Sequence, residues 1–84
     1  MIQLADFQKL NSHFYTKSFK SNHRVNLKKF NTWRIEVYKT TKKKDTLIWI
    51  CDGYDSEVNK AKTPIPGRGL IKDLNKVATQ YQIS

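Results

Sequence analysis

The chain has 84 residues, with 16 Lys or Arg against 7 Asp or Glu and a formal charge of +9. That length allows one domain, residues 1–84, which buries about 60–65% of its unfolded surface and leaves no volume for a deep pocket. Apolar residues at 38%, with four Phe, four Tyr and two Trp, exclude a fully disordered chain and supply one core.

The cationic excess argues for a polyanionic partner. Nucleic acid is favoured over an anionic membrane, because the basic residues do not fall on one amphipathic helix. The single cysteine, Cys51, excludes an intramolecular disulfide and fits a reducing compartment. No apolar run reaches the ~18 residues of a membrane span. The opening MIQLADFQKL lacks the basic-then-apolar order of a signal peptide. A cytoplasmic protein with no membrane partner is expected.

In chain order, Phe7, Leu10 and Phe14 recur at helical spacing, with Leu4 near the same stripe, which predicts a first helix over 3–15. The polar, basic stretch TKSFKSN (16–22) reads as a loop. In HRVNLKKF (23–30), Val25 and Leu27 alternate with Arg24, Asn26 and Lys28. In WRIEVYKT (33–40), Trp33, Ile35 and Val37 alternate with Arg34, Glu36 and Tyr38. Both have the period of two of a half-buried strand, and Asn31-Thr32 reads as the tight turn between them.

TLIWICD (46–52) is a third strand, apolar on both faces for five residues, as expected of a central or doubly covered strand. The triplet Lys42–Lys44 then lies in the loop joining the second and third strands. Residues 53–69 hold all three glycines and both prolines, so they cannot form one long helix. A short helical turn over 55–61, capped by Asp55 or Ser56, fits there. From Gly69 onward, Leu70, Leu74, Val77, Ala78 and Tyr81 share one face of a second helix, led in by Pro66 and Gly67. The expected fold is α+β in the order α-β-β-β-α: a three-stranded antiparallel sheet with helices packed on one face. Phe7, Leu10, Phe14, Leu70, Leu74 and Val77 would form the core with Ile35, Val37 and Trp49.

No catalytic set is visible. His13 and His23 have no cysteine or carboxylate at a metal-ligand spacing. Cys51 sits in an apolar strand, which favours an inert thiol. No catalytic residue, metal or cofactor is expected, and the protein is not read as an enzyme. PIPGRGLIKDL (64–74) lacks the order of a phosphate loop. Its glycine-rich lead into a helix still offers backbone N–H groups to an anion, with Arg68 beside them.

The basic set carries the functional reading. Arg24, Lys28, Lys29, Arg34, Lys39, Lys42, Lys43 and Lys44 lie on or between the strands, and alternation turns Arg24, Lys28 and Arg34 away from the core. Lysines dispersed in this way suit phosphate contact more than base reading. Tyr38 lies among them and offers a ring to a base. These residues, with Arg68, are the candidate nucleic-acid-binding set.

Several segments resemble a known family. Asp6-Phe7, RVNLKKFN (24–31), WRIEVYK, TLIWICD and IPGRGLIKDL (65–74) look like successive parts of a small basic protein of the eukaryotic large ribosomal subunit, number thirty-eight in that series. The resemblance covers roughly residues 4–74. It implies rRNA binding without catalysis and neighbouring proteins in a ribonucleoprotein. The expected function is therefore RNA binding, with RNA favoured over DNA. The alternative is a DNA-binding module or an inhibitor protein from a phage or mobile element. In the DNA-binding form, the face carrying Arg34, Glu36 and Tyr38 would read bases.

Overall fold

Alternation of apolar and polar residues builds the middle of this molecule's sheet. A computed structural model describes residues 1–54 and 65–84. Five strands follow one another: β1 (Gln8–Asn11), β2 (Phe14–Phe19), β3 (His23–Lys29), β4 (Trp33–Thr40) and β5 (Asp45–Tyr54). They form one antiparallel sheet in the order β1-β2-β3-β4-β5, each strand beside its neighbour in sequence. One α-helix, α1 (Arg68–Tyr81), closes the described chain, and a single 3-10 turn over Leu4–Asp6 opens it.

The α-β-β-β-α order with a three-stranded sheet is thereby corrected. Residues 3–15 do not form a helix, and the stretch read as a loop at 16–22 holds most of β2. Asn11-Ser12-His13 is a turn, in which Asn11 Oδ1 accepts the His13 backbone N–H at 2.8 Å. A side chain that closes a turn on its own backbone competes with a helix. The helical spacing of Phe7, Leu10 and Phe14 is coincidental: Phe7 is buried, Leu10 is 49% exposed and Phe14 lies on another strand, half-buried. The signal that governs β2 is Tyr15, Lys17 and Phe19 alternating with Thr16 and Ser18. The helical turn expected over 55–61 lies outside the described residues.

One face of the sheet is covered. Val25, Leu27, Ile35 and Val37 are fully buried and pack with Leu70 and Leu74 of α1, with Val77 and Ala78 completing the helix stripe. Each such side chain contributes about 1.5–3 kcal/mol on burial. Trp33 sits at one end of this layer, its ring 5.7 Å from that of Tyr15 and inclined by 59°. Ile2, Phe7 and Ile83 seal the margins. The end of α1 is closed by Gln82 in the left-handed conformation (φ 56°), whose N–H donates to the carbonyls of Ala78 and Thr79. The Ile83 N–H donates to Ala78 at 2.8 Å, the bond that turns Ile83 back onto the core.

β5 is an edge strand, contrary to the central placement expected from its apolar run. Its pairing with β4 slips between Val37↔Trp49 and Tyr38↔Leu47, leaving Ile48 as an extra residue. That bulge brings Leu47 and Ile50, three apart in sequence, to the same face. Both are exposed, at 44% and 46%. Trp49 is half-buried and packs at the edge of the core, not within it. A second slip near the end of β5 contains Gly53 at φ 93°, a conformation that favours glycine.

Candidate nucleic-acid interface

Two hairpin connections place the lysines of one end of the sheet. The β2–β3 connection, Lys20-Ser21-Asn22, has Asn22 at φ 62°, a conformation asparagine tolerates. The β4–β5 connection holds Lys42, Lys43 and Lys44. Thr41 shapes it: its N–H and hydroxyl both donate to the Lys44 carbonyl, at 3.1 and 2.7 Å, and its Oγ1 accepts the Lys44 N–H at 3.2 Å. The two connections are tied together, because the Thr40 N–H donates to the Asn22 carbonyl at 2.8 Å. Lys20, Lys39, Lys42, Lys43 and Lys44 therefore project from one end of the sheet, all exposed. Among the described residues, none of the five has a carboxylate at ion-pair distance.

The cations of the face opposite α1, uncovered among the described residues, are arranged differently. Cross-strand register aligns Phe14, Lys28 and Arg34 in one row, Thr16, Asn26, Glu36 and Ile50 in the next, and Ser18, Arg24, Tyr38 and Leu47 in a third. Glu36 is buried at the centre of this face and 7% exposed at its side chain. It receives Lys28 Nζ at 3.3 Å and an Arg34 guanidinium nitrogen at 3.5 Å. Arg34 Nε also donates to Asp52 at 2.9 Å, the main reason its guanidinium is held above its ordinary pKa. Arg24 pairs with Asp45. The Tyr38 hydroxyl donates to Glu36 at 3.2 Å; burial first, and then the Glu36 charge, raise its pKa.

The candidate set thus divides in three. Lys39, Lys42, Lys43 and Lys44 belong to the open-ended cluster, and Lys20, from the basic stretch 16–22, joins them through the Lys-Ser-Asn turn. Arg24, Lys28, Arg34 and Tyr38 share the uncovered face, where the three cations are already paired. Lys29 falls on the helix side by alternation, next to Trp33. Arg68 begins α1 and borders a shallow apolar groove with Met1, Ile2, Leu4 and Ile71. The structure does not bring these last two to the others.

Two rings beside these cations, Phe14 and Phe30, lie outside the candidate set. Phe14 lies under Lys28 Nζ at 5.1 Å, Phe30 under the Arg34 guanidinium at 4.4 Å, and Tyr38 under that of Arg24 at 5.1 Å. Phe30, in the β3–β4 turn, is 60% exposed. His23 is buried beneath the lysine end, with Ser21 Oγ 2.9 Å from its Nδ1. Burial, and then Lys39, push its pKa below 6.5.

Among the described residues, no three His, Cys, Asp or Glu side chains stand where they could share a metal ion, and no helix is long and apolar enough to cross a membrane. The chain matches no protein-family model, no curated protein and no solved structure.

Proposed function

We propose that this is a non-catalytic nucleic-acid-binding protein, with RNA favoured over DNA, that holds phosphates at the lysine end of its sheet. One observation carries the reading. Two hairpin connections, joined through Thr40 and Asn22, bring five exposed lysines together with no carboxylate at ion-pair distance among the described residues, since Asp45, next to Lys44, is taken up by Arg24. Folding like charges together without neutralising them costs stability, and a polyanion offsets that cost. Three further cations, Arg24, Lys28 and Arg34, lie on the adjoining face. The preference for RNA rests on the resemblance of residues 4–74 to the ribosomal family. In its narrower form the proposal is a ribosomal component with neighbouring proteins in a ribonucleoprotein.

The test is binding to structured RNA and to duplex DNA across a salt series. Each phosphate contact contributes about −0.7 to −0.9 to the log–log slope. Replacing Lys42, Lys43 and Lys44 with Gln should make that slope shallower by about two to three units. Stability should change by no more than about 0.5 kcal/mol per site. Duplex DNA preferred at every salt concentration would remove the RNA reading. An unchanged slope in the Gln variant would remove the lysine end as the phosphate site.

A further inference from the structure

Building on the nucleic-acid reading above, we propose that the uncovered sheet face is a stacking platform for the bases of a single strand. Phe14, Phe30 and Tyr38 are its rings, and the lysine end anchors the backbone.

Arg24, Lys28 and Arg34 are matched on this face by Asp45, Glu36 and Asp52, three against three. A duplex presents phosphates outward and hides the faces of its bases, so it needs unpaired cations. This face offers few. It offers exposed carbon instead: Phe30, Leu47 and Ile50 are 60%, 44% and 46% exposed. Phe14 and Tyr38 are half-buried, and no described helix packs over them as α1 packs over the other side.

Stacking on aromatic rings is sequence-tolerant, since every base has a π-face, and only an unpaired strand can supply it. Each ring also carries a cation over one of its faces, and the guanidinium planes of Arg24 and Arg34 are themselves surfaces on which a base stacks. Geometry favours a strand that crosses the face. Tyr38 lies four residues along β4 from Arg34, the partner of Phe30, which is about 13 Å. Bases lying flat on rings of one face are splayed rather than stacked on one another, so that distance separates a base on Phe30 from a base on Tyr38. Beyond Tyr38 the strand reaches the unpaired lysines, where its phosphates find charge. The division of labour is physical: paired cations hold the face flat and neutral, and unpaired ones neutralise the backbone.

The experiment compares a fluorescein-labelled oligouridine, an oligothymidine and a duplex of equal length by anisotropy. The proteins are wild type, Phe30→Leu, Tyr38→Leu and the lysine-triplet Gln variant. Leucine keeps apolar bulk and removes the ring, and Phe30 is exposed enough that its replacement leaves the fold intact. The proposal expects the single strands to bind more tightly than the duplex. Each leucine variant should weaken single-strand binding by about fivefold or more with an unaltered salt slope. Tyr38→Phe, which keeps the ring, should retain wild-type affinity.

Equal or tighter binding of the duplex, or leucine variants that bind like wild type, would overturn the platform and leave the lysine site standing. Salt-independent or absent binding to all three polymers would overturn both readings. Leucine variants that alter the oligomeric state in light scattering, with single-strand binding unchanged, would reassign the face to a protein contact.

Discussion

The two faces of this sheet are built from alternate residues of the same strands, yet they are held by different forces. On the covered face, Val25, Leu27, Ile35 and Val37 lie against Leu70 and Leu74 with no exposure above 1%. On the other, buried Glu36 draws in Lys28 and Arg34, and Asp45 and Asp52 take up Arg24 and Arg34 again. The first face is a matter of volume, and deleting atoms from it leaves a cavity. The second is a matter of charge, and its geometry depends on which carboxylates remain. Stability should therefore be concentrated on one side and partner recognition on the other.

The largest effect should come from the covered side. Leu27→Ala should cost about 2–5 kcal/mol and Trp33→Ala about 3–5 kcal/mol in urea unfolding, because both sites are fully enclosed. Ile50→Ala on the uncovered face should cost less than about 1 kcal/mol, given how much of it already meets water. Comparable losses at Leu27 and Ile50 would show that the uncovered face is packed against something in solution.

Glu36→Gln should act at an intermediate scale. It leaves the shape nearly unchanged and removes the charge that holds Lys28 and Arg34. A stability loss of about 1–3 kcal/mol is expected, below that of a fully enclosed pair because both cations stay in contact with water. Binding should move the other way: Lys28 is released to meet phosphates while Arg34 keeps Asp52, so the salt slope should steepen by about one unit. A variant that loses both stability and affinity would show that the paired arrangement itself, and not freed charge, supports binding.

The smallest effect should be the pH response of His23. Its folded pKa is depressed, so the unfolded chain takes up the proton first as pH falls through about 6.5. The stability it contributes is full above that value and declines as pH drops toward the folded pKa. Melting temperature should therefore decrease between pH 7.5 and 5.5, and His23→Gln should flatten part of that slope. A wild-type protein that melts higher at pH 5.5 would reverse the sign.

Much of the sheet was legible because its pattern is local. The alternation in 23–30 and 33–40 and the 3.6-residue stripe of Leu70, Leu74 and Val77 correspond to β3, β4 and α1. The first hairpin was not legible, because Phe7, Leu10 and Phe14 imitate a helix stripe and the turn that separates them is carried by one asparagine side chain. β5 misled for another reason. An apolar run does not reveal whether a strand is central, and the Ile48 bulge that turns Leu47 and Ile50 outward exists only in its pairing with β4. At the candidate site, the lysine triplet could be read directly. The pairing of Arg34 with Asp52, 18 residues away, could not, nor could the neutrality that it gives the uncovered face. Phe14 and Phe30 were missed because an exposed ring and a buried one look alike in a sequence.

Asn75 bears on how the molecule opens. Its Oδ1 accepts the Ile2 N–H at 2.8 Å, and its Nδ2 donates to the carbonyls of Ile2 and Ile71, at 2.9 and 3.0 Å. Every strand pairing joins neighbours in sequence and can form early, whereas this clamp spans 73 positions and has a long loop to close. An interaction made after the folding barrier leaves the folding rate alone and slows escape from the native state. Asn75 is thus placed to act as a latch on the lifetime of the fold, set in a molecule whose sheet can assemble quickly.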